Sequence, residues 1–239
     1  MTITKRLSPN RNKGRQGQIP DFIVCHQTGG SFTSAINTIL NPKNQVSYHF
    51  VVAQDGTIIQ AVNIQDTAWA NGTTNNNDNR DNMHSTIPEI RARRRNANQF
   101  TVSIGFADTT IGELSPPQLS SAIDLIRHIR KEVQSLFGLE IPLSNIIGHH
   151  QVTPITRPNC PGSRFPFAEI ITQLQEKELP QVISSQPASS QGVSTPSSWA
   201  REAWEWAIAQ DLTDGTNPQG APTREQMVTL LHRYHKSIA

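Results

Sequence analysis

The chain has 239 residues, of which 35% are hydrophobic and 17% charged, and its formal net charge is +2. This length supports one full domain and a smaller piece, and the composition excludes collagen-like and wholly disordered chains. The low net charge argues against bulk attraction to nucleic acid. No stretch approaches the roughly 20 apolar residues of a membrane span, and the 2 cysteines are too few for a disulfide framework.

Strand and helix patterns alternate along the first part of the chain. The apolar run 22–25 predicts a strand that leads into His26, and Ser31 can cap a helix that continues to Leu40. An Asp-Gly pair at 55–56 between apolar runs predicts a hairpin over 48–62.

The second half of this region continues the alternation. Residues 101–106 predict a strand, and the two prolines after Ser115 open a long amphipathic helix that Gly138 ends. A last strand, 145–148, leads into His149, and a closing helix follows over 168–178. The pattern predicts an α/β fold with a central mixed sheet flanked by helices, and the polar stretch 70–98 is interpreted as a surface loop.

Composition divides the chain into three segments. Residues 180–198 are rich in Ser, Pro and Gln and carry no charge, which predicts a flexible linker. Residues 1–179 then form the large domain. Residues 199–239 form a small all-α domain with two short amphipathic helices, the first with the aromatic stripe of Trp199 and Trp206.

Three residues whose side chains can bind a metal lie at the ends of predicted strands or in the loop that follows. His26 and His149 come directly after apolar strands, and Cys160 lies in the loop that follows. Two imidazoles and one thiolate give zinc three ligands and leave a fourth position for water, which is the arrangement of a catalytic site. Spacing alone leaves open a plainer interpretation, in which these are half-buried histidines and a core cysteine.

Short sequence words around these residues occur in a fixed order between about residues 18 and 172. They are IVCHQTG (23–29), SYHFVVAQDGT (47–57), DTAWANG (66–72), SIG (103–105), IGHHQVTP (147–154) and CPG (160–162). Together they resemble the zinc-dependent N-acetylmuramoyl-L-alanine amidases of the type 2 family. That family includes many phage endolysins and shares its fold with peptidoglycan recognition proteins.

The resemblance implies specific roles for matching positions. His26, His149 and Cys160 match the zinc ligands, and Tyr48 matches a tyrosine that assists the reaction. The word 66–72 supplies Trp69 and Asn71 as substrate contacts. The implied activity is cleavage of the amide between the lactyl group of N-acetylmuramic acid and the L-alanine of the peptidoglycan stem peptide.

The sequence departs from the family at several positions. Many relatives carry a lysine shortly before the third ligand, and Arg157 is the best basic candidate here. Some relatives carry a glutamate after the Ser-Ile-Gly strand, where this chain has Ala107 followed by Asp108. These differences leave the catalytic role of Arg157 as an interpretation and assign no base to Asp108.

Two other functions compete with the amidase. A peptidoglycan-binding module of the same fold would lack turnover, but it would be expected to have lost a ligand. A cysteine peptidase would use Cys160 and His149, but Cys160 lies between Asn159 and Pro161, away from any helix start that could activate it. A run of arginines at 91–95 is expected to be solvated or to contact an anionic wall polymer, since no aromatic residues interleave with it.

The C-terminal segment resembles one S-layer-homology-like repeat, which implies binding to the cell wall. Because such repeats pack on neighbours and only one is visible, self-association through residues 199–239 is also expected. The first residues lack the apolar core of a secretory signal. The expected location is therefore the host cytoplasm until another route brings the protein to the wall.

Overall fold

A computed structural model describes residues 1–72, 80–178, 196 and 200–210 of the chain. The chain divides into two units, Met1–Glu178 and Leu179–Ala239. The predicted linker 180–198, apart from Pro196, and the second predicted helix of the C-terminal segment lie outside the described residues. Within the part of the chain that is described, no helix combines the length and apolar character that a membrane crossing needs.

The described residues form eight strands and six α-helices, together with three short 3₁₀ turns. The strands are β1 (Ile3–Lys5), β2 (Arg11–Asn12), β3 (Phe22–Gln27), β4 (Phe50–Val52), β5 (Ile58–Gln60), β6 (Thr67–Ala68), β7 (Thr101–Phe106) and β8 (Ile146–Gly148). The helices are α1 (Phe32–Leu40), α2 (Pro88–Arg93), α3 (Pro116–Phe137), α4 (His149–Val152), α5 (Phe167–Glu178) and α6 (Arg201–Ala209).

The main sheet has six strands in the order β1-β5-β4-β7-β3-β8. Strands β4, β7, β3 and β8 run parallel to one another. Strands β4 and β5 form the antiparallel hairpin that the Asp-Gly pair predicts. The sheet is therefore mixed, and the predicted fold class is confirmed. A second, two-stranded sheet pairs β2 with β6.

Helix α3 covers one face of the main sheet, and its ends carry the expected capping residues. The Ser115 side chain accepts a hydrogen bond from the backbone N–H of Gln118, and prolines occupy the first helical positions. Gly138 ends the helix with a φ of 70°, a left-handed conformation that costs glycine little. Helices α3 and α5 pack with Ile23 and Cys25 of β3 in the largest hydrophobic cluster.

Alternate residues of β3 point to opposite faces of the sheet, so Phe22 and Val24 lie opposite the face that α3 covers. These two side chains pack with Ile90 of α2 and with Phe100. His26 continues the same alternation and therefore lies on this second face of the sheet, which places it away from α3.

The interpretation of residues 70–98 as a surface loop is wrong for much of its described part. Helix α2 lies within it and buries Ile90 completely. Arg93 places its guanidinium 4.4 Å from the centre of the Phe100 ring and forms a two-point ion pair with Asp21. The polar composition concealed this helix, because one isoleucine and one stacked arginine anchor it. Residues 73–79 lie outside the described residues.

The N-terminal segment forms structure that the sequence patterns did not predict. Strand β1 pairs in parallel with β5, and β2 pairs with β6. Asp66 fastens this segment, since its carboxylate accepts hydrogen bonds from Arg11 Nε at 3.3 Å, Lys13 Nζ at 3.2 Å and the Gly14 backbone N–H at 3.0 Å.

Candidate metal centre

His26 and His149 meet because of the register between two parallel strands. Cys25 of β3 is directly opposite Gly148 of β8, so the next residues, His26 and His149, lie at the same level of the sheet. His26 lies within β3, one residue beyond the predicted strand end, and His149 begins α4. Both imidazoles are buried, and their Nδ1 atoms are 3.0 Å apart.

Cys160 completes a group of three donors. One ligand atom from each of His26, His149 and Cys160 lies within 4.8 Å of the other two, and all three residues are buried. No other cluster of three or more such side chains occurs among the residues that the structure describes. The predicted convergence of these residues is thus present in the structure.

The donor set fits a zinc ion. Two nitrogens on one tetrahedral zinc stand roughly 3.3 Å apart, close to the separation of the two Nδ1 atoms. Burial, with smaller contributions from His149, Arg157 and His49, holds the pKa of His26 well below its usual range, so the imidazole keeps a lone pair for a metal. Its Nε2 atom is buried without a hydrogen-bond partner among the described residues.

The electrostatics of Cys160 argue against a free nucleophile. Burial raises the pKa of its thiol to about 11, although the Gln27 backbone N–H and the charge of Arg157 both lower it. A thiol with this pKa is protonated at neutral pH and reacts slowly. Coordination to a metal would supply the positive charge that holds the thiolate.

Asn71 orients His149 through its backbone. The His149 Nε2–H donates to the Asn71 carbonyl at 3.3 Å, which leaves the lone pair on Nδ1, the atom that faces His26. Asn71 is itself fixed: its backbone N–H donates to Asn98 Oδ1 at 2.8 Å, and its side-chain Nδ2 donates to Thr101 Oγ1 at 3.0 Å. Its amide side chain is buried, and the predicted substrate contact of this residue stays a prediction.

Tyr48 lies next to the two histidines. Its ring centre is 5.2 Å from that of His26. The sequence pattern places Tyr48 within the predicted hairpin strand, but in the structure the residue precedes β4. Burial, followed by the charge of Cys160, raises the pKa of the hydroxyl, so the group stays protonated and can donate a hydrogen bond. The ring fits against Gly105, where an added Cβ would lie 3.0 Å from Tyr48 Cδ2.

Trp69 and Arg157 are the remaining predicted site residues. The indole N–H of the half-buried Trp69 donates to Asn12 Oδ1 at 2.6 Å, and its backbone N–H donates to Ser47 Oγ at 2.9 Å. Arg157 is exposed, and its charge lowers the pKa of His26, Tyr48 and Cys160. The guanidinium therefore acts electrostatically on all three groups, and its catalytic role stays a prediction.

Two contributors to the site were not found from the sequence. The backbone N–H of Gln27 supports the Cys160 sulfur, and the backbone carbonyl of Asn71 holds His149. Every residue has these backbone groups, so no side-chain pattern could have indicated them.

Several solved structures are similar to this chain. Among solved structures, a mutant endolysin from Bacillus subtilis is 18% identical with a TM-score of 0.50, and the match covers 73% of this chain and 99% of that chain. The amidase LysC from Clostridium intestinale URNW is 20% identical, with a TM-score of 0.48 and coverage of 73% and 98%. An AmpD derivative is 20% identical, with a TM-score of 0.49 and coverage of 72% and 93%.

The match to the Bacillus subtilis endolysin, at a TM-score of 0.50 and 18% identity, bears on the fold alone. No curated protein matches the sequence. The family evidence comes instead from residues 15–163, which match the Amidase_2 family and include His26, Tyr48, His149 and Cys160. Since this match spans more than half of the chain, the protein belongs to the N-acetylmuramoyl-L-alanine amidase family.

Proposed function

We propose that this chain is a zinc-dependent amidase that cleaves the bond between N-acetylmuramic acid and the L-alanine of the stem peptide, and that it acts as an endolysin in bacterial lysis. The observation that carries the proposal is the buried group of His26, His149 and Cys160, whose ligand atoms lie within 4.8 Å of one another. This group lies in the segment that matches the amidase family.

Amide hydrolysis at neutral pH needs a strong nucleophile and stabilisation of charge at the carbonyl oxygen. Bound zinc would lower the pKa of a water molecule to about 7 and polarise the scissile carbonyl. The chain's own contribution is to hold the donors: the Asn71 carbonyl fixes the tautomer of His149, and the Gln27 N–H supports the Cys160 sulfur.

Two further side chains act on the substrate in this proposal. The Tyr48 hydroxyl, protonated at neutral pH, donates a hydrogen bond to the carbonyl oxygen as negative charge develops there. The exposed guanidinium of Arg157, whose charge acts on His26, Tyr48 and Cys160, adds positive charge that offsets the negative charge of the oxyanion. Trp69, half-buried beside β2, offers an aromatic surface for the stem peptide or sugar.

The chemical ends released from purified peptidoglycan test the reaction. The amidase exposes a free amino group on L-alanine and creates no new reducing sugar. New reducing ends would indicate a glycosidase instead, and binding without any new end would indicate a non-catalytic wall-binding module. Removal of metal by a chelator is expected to abolish the release, and added zinc is expected to restore it. Activity that persists without metal would reject zinc dependence.

Substitution of the three donors tests the ligand assignment. His26→Ala, His149→Ala and Cys160→Ser are each expected to abolish hydrolysis and to weaken zinc retention, because three protein ligands leave no spare donor. Metal content by mass spectrometry and turnover are measured on the same preparations. A variant that keeps stoichiometric zinc and normal turnover would exclude that residue as a ligand.

A further inference from the structure

His150, the residue after His149, makes two hydrogen bonds to one acceptor. Its backbone N–H donates to the Cys160 carbonyl at 2.8 Å, and its ring Nδ1 lies 2.9 Å from the same oxygen. A carbonyl oxygen only accepts, so Nδ1 carries a hydrogen and donates it. The two bonds use both lone pairs of this carbonyl. The chain turns into α4 at this point.

The space for this ring comes from Gly148. A Cβ at this position would lie 2.5 Å from His150 Cε1, 2.6 Å from its Nδ1 and 2.9 Å from Pro161 Cδ. The φ of Gly148 is −88°, which any residue adopts, so its backbone conformation does not require glycine. The glycine is explained by space: a side chain would push the imidazole off the carbonyl or move the loop that carries Cys160.

These contacts connect one candidate ligand to another. His150 is covalently joined to His149, and its two bonds reach the backbone of Cys160 across a sequence separation of 10 residues. On its other side, the Cys160 backbone N–H donates to the Arg157 carbonyl at 3.3 Å. The Gln27 backbone N–H supports the sulfur itself. His150 is the side chain in this set that fixes the carbonyl of Cys160.

We propose that His150 is a positioning residue, which presents the Cys160 sulfur to the metal by fixing the Cys160 carbonyl with its ring and its backbone. The inference rests on the proposed zinc site. It predicts that the ring N–H, and not merely the volume of the side chain, sets the affinity for zinc. Loss of a partner that orients a metal ligand typically costs about 10–100-fold in metal affinity or activity.

A pair of variants separates the hydrogen bond from the volume. His150→Asn places an amide N–H where Nδ1 stood. His150→Leu has the same branched shape as the asparagine side chain but carries no hydrogen-bond donor. We expect the zinc dissociation constant, measured by competition with a chromophoric chelator, to rise about 10–100-fold in His150→Leu. His150→Asn is expected to stay close to the unsubstituted protein. In cobalt-loaded protein, the thiolate-to-cobalt absorption is expected to weaken only in His150→Leu.

Gly148→Ala provides an independent variant, because it keeps the imidazole but displaces it from the carbonyl. It is expected to weaken zinc binding as His150→Leu does, and circular dichroism of each metal-free variant verifies its fold. Equal zinc affinity in His150→Leu and the unsubstituted protein would overturn the proposal, as would an equal loss in His150→Asn and His150→Leu. If the unsubstituted protein itself binds no zinc, the proposed metal site fails first, which is a distinguishable result.

Discussion

The Tyr48 hydroxyl has a defined chemical state in this fold. Its pKa is raised by burial and by the neighbouring Cys160, so in the proposed reaction it would act as a donor and not as a base. The ring lies beside His26, with 5.2 Å between the two ring centres, so the tyrosine belongs to the same site as the candidate metal ligands.

Removal of this hydroxyl separates catalysis from folding. Tyr48→Phe is expected to lower turnover by roughly 10²–10³, the range for the loss of one oxyanion donor. Stability should hardly change, because the phenylalanine ring still packs against Gly105. Turnover of a soluble muropeptide and the melting temperature measure the two effects. Unchanged turnover would show that the hydroxyl has no part in the chemistry.

Gly105 sets the position of that ring. An added Cβ would approach Tyr48 Cδ2 and Thr28 Cγ2, each at 3.0 Å. Gly105→Ala is therefore expected to shift the ring and to lower turnover by up to about 10², as small misplacements of catalytic groups do.

Gly30→Ala is the matched control for this substitution. Its added Cβ would meet only Ser34 atoms, at 3.7 and 3.8 Å, which are ordinary contacts. Turnover and melting temperature of Gly30→Ala should match those of the unsubstituted protein. If Gly105→Ala shows the same turnover as the control, the ring is not constrained as described.

At the scale of elements, the Asp66 carboxylate is one of the groups that hold the N-terminal segment in place. Burial alone would raise the pKa of Asp66, but hydrogen bonds from Gly14 and Lys13 and the charges of Lys13 and Arg11 outweigh it and lower the pKa overall. The ionised carboxylate therefore stabilises the folded state. This contribution is present above the unfolded pKa of about 3.9 and is lost as the pH falls through the lower folded pKa.

Asp66→Asn is accordingly expected to reduce the free energy of unfolding at pH 7 by roughly 1–2 kcal/mol, because bonds to a charged group are lost. The difference from the unsubstituted protein should shrink below a pH of about 4. Urea unfolding at several pH values measures both effects.

Glu113→Gln provides the comparison, because Glu113 forms an ion pair with Arg164 in which both side chains are exposed. A pair of this kind contributes at most about 1 kcal/mol. A difference for Asp66→Asn that did not depend on pH would contradict the assignment.

The elements differ in how far the sequence predicted them. Helices α1 and α3 were predicted because a serine cap and an apolar periodicity coincide in each. Strands β1, β2 and β6 have only two or three residues, too few to show any period, and they exist through pairing with distant partners. Helix α2 was not predicted, because Ile90 is the one apolar residue that it buries and a single residue shows no period.

The candidate site, too, was predicted only in part from the sequence. The residue types His26, His149 and Cys160 suggested metal chemistry, but residues so distant in sequence meet only through the pairing of β3 with β8. The resemblance to the amidase family supplied what spacing could not. Asn71 and Gln27 act through backbone groups, which have no sequence signature.

At the scale of the whole molecule, the candidate metal centre belongs entirely to the first unit. Met1–Glu178 contains all three donors, Tyr48 and the sheet that positions them. This unit also has its own hydrophobic clusters on both faces of the sheet. It is therefore expected to fold and to carry out the proposed chemistry without the rest of the chain.

The second unit is expected to serve targeting. Its described helix α6 leaves Trp206 50% and Ile208 45% exposed, and the 41 residues of the segment 199–239 are near the limit below which one core is marginal. We therefore expect residues 199–239 to bind the cell wall and to self-associate. Truncation after Glu178 should preserve cleavage of soluble muropeptides and reduce lysis of whole cells. Full lysis by the truncated protein would exclude targeting, and a monomeric full-length protein in sedimentation would exclude self-association.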